Sequence, residues 1–164
     1  MAPPSDLREW IALLEREGEL HRVGAEVDPD LEITEITDRV VKRGGPALLF
    51  ERPRGSRHAL LINQFGTERR MCLAFGVESL DDVAATLEDV LELQPPQGLV
   101  QKVKGLKKLK SIADSMPKTV SKGACQEIVL TGDDVDLDLL PIQRCWPGYP
   151  APFITLPAVI TQDP

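Results

Sequence analysis

Apolar residues recur three and four positions apart at the start of the chain. Leu7, Ile11 and Leu14, with Trp10 and Leu13 beside them, predict an amphipathic helix. Ser5 reads as its N-cap, Asp6 and Glu9 suit its first turn, and Gly18 suits the left-handed position past its end. Glu19 to Val23 alternates enough to predict a short strand. Asp28-Pro29-Asp30 then reads as a turn and a helix start, with Asp30 as the cap. Ile33, Ile36 and Val40 form one stripe of that second helix, which ends at Gly44-Gly45. Ala47 to Glu51 is a compact apolar run, the pattern of a buried strand. Ala59 to Asn63 is a second such run, and the polar stretch Arg52 to His58 between them predicts a hairpin. Thr67 to Phe75 fits a short helix. Leu80, Val83, Ala84, Leu87, Val90 and Leu91 give the clearest amphipathic helix, capped by Ser79 and stopped by Pro95-Pro96.

The pattern changes at residues 99–122, which hold seven lysines and one acid, a local net of +6. The whole chain of 164 residues carries −7, so the remainder carries −13. Leu99, Val103, Leu106 and Ala113 share one helical face, weakened by Gly105, and predict a basic helical connector. Beyond it, Glu127 to Leu130 reads as a strand and Gly132-Asp133-Asp134 as a turn. Leu139 to Pro152, rich in proline, reads as extended, and Phe153 to Thr161 as a closing β-type run before the turn residues Gln162-Asp163-Pro164. That run has no local partner strand, so its partner is expected on a continuation of the chain or on another chain. The elements predict a mixed α/β (α+β) fold in three parts: 1–98 as an α/β domain, 99–122 as the connector and 123–164 as an extended segment that begins a further β structure.

Composition narrows the function classes. Apolar residues are 42% and charged residues 27%, the mix of a folded domain with a core. The net negative charge argues against a general nucleic-acid binder. No apolar run approaches the length of a membrane-spanning helix, and the first residues carry neither a basic start nor an apolar stretch of a secretory signal. Cys72, Cys125 and Cys145 stand far apart, which reads as free thiols in a reducing compartment, and the expected location is the cytoplasm.

Candidate chemistry is sparse. His21 and His58 lack ligand spacing to each other or to a cysteine, so zinc is not expected. Cys145, beside Trp146-Pro147, is a candidate nucleophile without a supporting pattern, and a buried structural thiol is the plainer reading. Glu32, Glu35 and Asp38 share one face of the second helix and would serve as an acid–base pair only if desolvated; a solvated face is the commoner outcome. Asp133, Asp134, Asp136 and Asp138 are dense enough for a calcium loop but lack its central Gly and closing Glu. No phosphate-cradling glycine pattern occurs. Lys102, Lys104, Lys107, Lys108 and Lys110 suit an anionic lipid surface or another partner, giving an alternative reading as a non-catalytic interaction module acting through 99–122. The plainer reading is attraction to the acidic remainder of the same chain.

Several strings together resemble the N-terminal region of the UbiD family of decarboxylases. They are Asp28-Pro29 followed by Leu31-Glu32-Ile33-Thr34-Glu35-Ile36, then Gly44-Gly45-Pro46-Ala47-Leu48-Leu49-Phe50-Glu51, then Asn63-Gln64-Phe65-Gly66 with Arg69 or Arg70 just after. Gly132-Asp133-Asp134-Val135-Asp136-Leu137, Leu140-Pro141-Ile142 and Trp146-Pro147 follow in order, so the resemblance covers essentially the whole chain.

The resemblance implies an N-terminal α/β domain followed by the first strand of a split β-barrel that holds prenylated flavin mononucleotide, with a divalent metal such as manganese and often potassium at its phosphate. It implies reversible, non-oxidative decarboxylation of aromatic or α,β-unsaturated acids, with a polyprenyl hydroxybenzoate of ubiquinone biosynthesis as one candidate substrate. The cofactor carries the hard chemistry in such enzymes. The family's arginine and two glutamates, and its Asn, His and Glu metal ligands, belong to segments beyond Pro164, so no catalytic or metal-binding residue is expected within this chain. The one position carried over is Thr155, on the strand entering the barrel, as a flavin-side hydroxyl. Implied partners are the remainder of the decarboxylase or a second subunit, a homo-oligomeric assembly, and a flavin prenyltransferase that supplies the cofactor. The chain by itself is expected to be inactive and to bind no flavin.

Overall fold

The run Ala47–Phe50 decides the architecture, because it is buried on both faces. In a computed structural model, which describes residues 2–91, 113, 116–123, 126–154 and 156, this run lies in the central strand of a three-stranded sheet. The elements in order are α1 (Leu7–Arg16), β1 (Leu20–Val27), α2 (Glu32–Val41), β2 (Ala47–Pro53), β3 (Leu60–Ile62), α3 (Glu68–Phe75) and α4 (Leu80–Leu91). β1 pairs with β2 in parallel, from Leu20 opposite Ala47 to Val27 opposite Pro53, with a register shift between Val23 and Glu26. α2 is the crossover that a parallel pair requires. β2 pairs with β3 antiparallel, Leu48 opposite Ile62 and Phe50 opposite Leu60.

Alternation along β2 sends its side chains into two cores. Ala47 packs with Trp10, Leu13 and Leu14 of α1, and with Leu73 and Ala74 of α3. Leu48 and Phe50 pack with Val27 and with Ile33, Ile36 and Val40 of α2. The sheet is thus a middle layer, with α1 and α3 on one face and α2 on the other. Leu14, Ile33, Ala47 and Phe50 are fully buried. The chain divides into two compact units, Met1–Val83 with Asp136–Pro164, and Ala84–Val135.

Local chemistry sets the element ends, and at two of them it differs from the sequence reading. Asp6, not Ser5, caps α1: its carboxylate accepts from the Glu9 backbone N–H at 2.9 Å. Ser5 instead donates both its N–H (2.9 Å) and its hydroxyl (2.8 Å) to the Glu9 carboxylate, one residue further out than predicted. Those bonds hold the Glu9 pKa below the usual carboxylate value, the backbone bond from Ser5 first. Asp30 does not cap α2. The N-cap position is Leu31, which has no side-chain oxygen and stands at φ 69°, ψ −35°. The Glu32 N–H donates to the Asp30 carbonyl across it at 2.9 Å, which makes a γ-turn of the rarer, positive-φ kind. A side chain there costs roughly 1–3 kcal/mol unless its surroundings enforce it. Nearby, the Glu32 carboxylate accepts from the Asp28 N–H at 2.7 Å and the Asp28 carboxylate from the Asp30 N–H at 2.8 Å.

Thr67 caps α3, and Gly76 closes it at φ 70°, as the turn back requires. The Ser79 hydroxyl accepts from the Asp81 N–H at the start of α4. β1 continues four residues past the predicted Val23, to Val27. Glu127 to Leu130 is not a strand: its backbone is irregular, and Ile128 and Val129 are largely exposed, so no sheet face holds them. Gly132–Asp134 and Leu137–Leu139 are single 3-10 turns, so Leu139 opens no extended run. The predicted helical connector at 99–122 lies outside the described residues except for 113 and 116–122, and the closing run lies outside them at Thr155 and at 157–161.

Candidate functional site

The residues around Arg144 return to the start of α2. Arg144 makes one parallel rung with Asp30. The Leu31 N–H donates to the Arg144 carbonyl, and the Arg144 N–H donates to the Pro29 carbonyl, both at 3.1 Å. The side chains add longer contacts. The Thr34 hydroxyl lies 3.4 Å from Gln143 Oε1 and 3.5 Å from the Arg144 carbonyl, and Gln143 is buried. Arg144 Nε lies 3.3 Å from Asp30 Oδ1, close enough for an ion pair but not aimed as a hydrogen bond.

After Arg144 the chain bends through Pro147 and Gly148, the latter at φ 78°, and comes back, so that the Phe153 N–H donates to the Gln143 carbonyl at 3.1 Å. This bend gathers three aromatic rings. Trp146 stacks on Phe153 with centroids 5.4 Å apart, and Tyr149 tilts against both, 5.5 Å from Trp146 and 5.7 Å from Phe153. Trp146, Tyr149, Ile154 and Leu156 are each more than half exposed. Thr155, the position expected beside a flavin, lies between two of these exposed apolar residues and is itself outside the described residues. The 137–153 segment is also tied at its start, where the Ser56 hydroxyl donates to the Leu139 carbonyl at 2.8 Å.

A second constellation joins α3 to the approach to β1. Arg70 is 1% exposed, and its Nη1 donates to Glu19 Oε2 at 2.9 Å and to the Gly45 carbonyl at 3.2 Å. Its Nε and Nη2 have no hydrogen-bond partner among the described residues. Arg69 reinforces the same corner through Glu17 and Glu19. The turn Asn63–Gly66 closes over it: Asn63, at φ 57°, donates its amide to the Pro46 carbonyl at 2.9 Å, Gln64 accepts from the Trp10 indole at 3.0 Å, and Phe65 stacks on Trp10 at 5.8 Å. A Cβ on Gly66 would overlap the Asn63 amide oxygen and press on Arg70 Nη2, so any side chain there must displace the Asn63 amide. The Asn63-Gln64-Phe65-Gly66 string is therefore a structural clasp over a buried charge.

The other candidates resolve into ordinary surface chemistry. Glu35 pairs with Arg39 and Asp38 with Lys42, each at 2.6 Å on the exposed face of α2, and Glu32 holds the turn before the helix. These are i,i+4 pairs of a solvated face, not a desolvated acid–base couple. The Asp136 carboxylate accepts from the Asp138 N–H, so this part of the acidic run is turn chemistry. Cys72 and Cys145 are free thiols and partly buried. Among the described residues no group of three or more His, Cys, Asp or Glu is arranged to hold a metal ion. An open groove of about 470 Å³ is lined by Glu26, Glu51, Arg52, Arg54 and Arg57 among others. Arg54 there is already engaged by Glu26 at 3.3 Å and Asp28 at 2.7 Å, so the groove is no prepared anion seat. No helix among the described residues is long and apolar enough to cross a membrane.

Comparison with known proteins extends this picture. A family model described as the 3-octaprenyl-4-hydroxybenzoate carboxy-lyase N-terminal domain matches residues 11–90. A second, described as the Rift-related domain of the same carboxy-lyase, matches residues 118–164, the part that contains Arg144 and the aromatic cluster. Among solved structures the chain is similar to the UbiD-class enzyme HmfF from Pelotomaculum thermopropionicum in complex with FMN, at 26% identity and a TM-score of 0.62, over 89% of this chain and 28% of that one. It is also similar to the vanillic acid decarboxylase of Sedimentibacter hydroxybenzoicus in its open form, at 25% identity and a TM-score of 0.65, over 90% of this chain and 29% of that one. The chain spans less than a third of either enzyme's length.

Proposed function

This chain belongs to the UbiD family of carboxy-lyases, and on that premise we propose that it supplies the N-terminal α/β domain and the opening of the Rift-related domain to a decarboxylase of aromatic or α,β-unsaturated carboxylic acids. The observation that carries the reading is the order of the two family matches, 11–90 and then 118–164, along a chain that covers under a third of FMN-bound and acid-decarboxylating enzymes. The cofactor of the whole enzyme is prenylated FMN, which when bound supplies the electron sink for loss of carbon dioxide. A divalent metal and potassium at its phosphate would be held by segments outside residues 1–164.

The role of this chain's own residues is architectural. The clasp over Arg70 fixes α1, α3 and the sheet as one body, and the Asp30–Arg144 rung ties to it the opening of the Rift-related domain. Domain limits fall near residues 98 and 122, with 99–122 as connector, and Thr155 is the residue carried over from the family as a flavin-side hydroxyl. The complete enzyme works as a homo-oligomer or with a second subunit, and it receives its cofactor from a flavin prenyltransferase. A polyprenyl hydroxybenzoate and a small phenolic acid both suit this class.

The test is production of the complete polypeptide, or of this chain with its companion subunit, together with a flavin prenyltransferase. Carbon dioxide release is then followed on a panel of aromatic and α,β-unsaturated acids. The expected result is turnover by the complete enzyme, and neither colour nor turnover from residues 1–164 alone. Stoichiometric flavin on residues 1–164, or a complete protein that takes up no flavin, overturns the reading.

A further inference from the structure

The large apolar side chains that this chain leaves in water are concentrated on the part matched to the Rift-related domain. Trp146 is 53% exposed, Tyr149 51%, Ile154 56% and Leu156 63%, and the first two share one ring cluster with Phe153. Single exposed apolar residues are normal on a protein surface, but aromatic rings gathered beside exposed aliphatic side chains mark a contact surface. The gathering is also braced. The Arg144 N–H holds the bend to the Pro29 carbonyl, and the Phe153 N–H closes it on the Gln143 carbonyl. An occupant therefore meets rings already in place, with little ordering left to do.

We propose that this cluster is one half of the core of the Rift-related domain, and that its cover is the same polypeptide continuing past residue 164. The proposal rests on the reading of the chain as the opening of that domain. An apolar face is buried only against a second layer, and no element among the described residues supplies that layer over Trp146 and Tyr149. The match to the domain runs from residue 118 to residue 164, within a chain that spans 28% of HmfF, so the missing layer has ample length of enzyme to come from. A second copy or a separate subunit must be recruited from solution, whereas the continuation is tethered. Residues 157–164 reach at most about 29 Å from Leu156. So short a tether holds its far end at an effective concentration in the millimolar range, which favours the continuation over either rival. Because the bend is bonded to Pro29 and Leu31, the same packing seats the Rift-related core on the start of α2.

Hydroxyl-radical footprinting read by mass spectrometry tests this, on the complete polypeptide and on residues 1–164. Trp10, 4% exposed in the α1 core, is the buried reference within the same sample. In residues 1–164 the Trp146 indole is expected to oxidise about tenfold faster than Trp10, following the two exposures. In the complete polypeptide the two should oxidise at about the same rate, with Tyr149 slowed alongside Trp146. Phe75, 49% exposed on α3, is the control and should slow less than Tyr149. Trp146 still oxidising about tenfold faster than Trp10 in the complete polypeptide overturns the proposal. Protection that grows with the concentration of residues 1–164, or that needs an added second chain, assigns the surface to a partner and also overturns it. Flavin uptake and turnover are scored separately. A complete protein with Trp146 covered but no flavin refutes the decarboxylase reading and leaves the docking standing, and an active enzyme with Trp146 open does the reverse.

Discussion

Arg70 Nη1 and Glu19 Oε2 meet at 2.9 Å, with the arginine 1% exposed and the glutamate side chain 20% exposed. The pair is lopsided: one charge is wholly inside and the other keeps some water. Removing Glu19 strands a buried cation, which costs roughly 3–5 kcal/mol in such settings, whereas replacing a buried charge by an apolar side chain of similar volume is often nearly neutral. Glu19→Ala is therefore expected to destabilise by about 3 kcal/mol and Arg70→Met by about 1 kcal/mol or less. Urea denaturation of both variants checks this, and an equal cost for the two would contradict the account.

Gly66 makes the same corner intolerant of even one methyl group. Gly66→Ala forces Asn63 off the Pro46 carbonyl or displaces Arg70, an overpacking cost of about 1–3 kcal/mol. Gly24→Ala is the control, since its nearest neighbour is the end of the Glu51 side chain at 3.7 Å. Thermal unfolding should show a clear fall in Tm for the first and a small one for the second.

Stability should fall in acid partly through α1. The Ser5 bonds lower the Glu9 pKa and the Arg22 guanidinium lowers the Glu15 pKa, so both carboxylates bind protons less readily when folded. The stability they add is present at neutral pH, above the ordinary carboxylate pKa, and is lost as pH falls through their depressed folded values. Glu9→Gln should shrink the difference in denaturation midpoint between pH 7 and pH 3. A difference as large as in the parent protein would show that Glu9 takes no part in it.

The body of the fold was legible because its signals are local and periodic. The Leu7–Leu14 spacing, the Ala47–Phe50 run and the Leu80–Leu91 stripe each name an element without reference to anything distant. The parallel pairing of β1 with β2 was not legible, since it depends on α2 packing across the sheet, and the length of β1 was hidden by the interrupted pattern at Gly24-Ala25. Asp30 misled because Asp-Pro-Asp is good cap chemistry, while the structure uses those carboxylates to brace a turn at a leucine. Arg70 stood out only within the Asn63–Gly66 string, where its burial had no sequence signature. The approach of Arg144 to Pro29 and Leu31 left no trace in either segment, since single rungs between distant backbones ask nothing of side-chain type.

The Thr34–Arg144 contact spans 110 residues of chain, whereas Leu48 finds its partner at Ile62. A ribosome adding roughly 5–20 residues per second would therefore expose the whole sheet, complete at Ile62, about 4–16 s before Arg144 emerges. The start of α2 must spend that interval uncovered, open to chaperones or to a neighbouring nascent copy, and its last fastening arrives only after the rest of the layer has set.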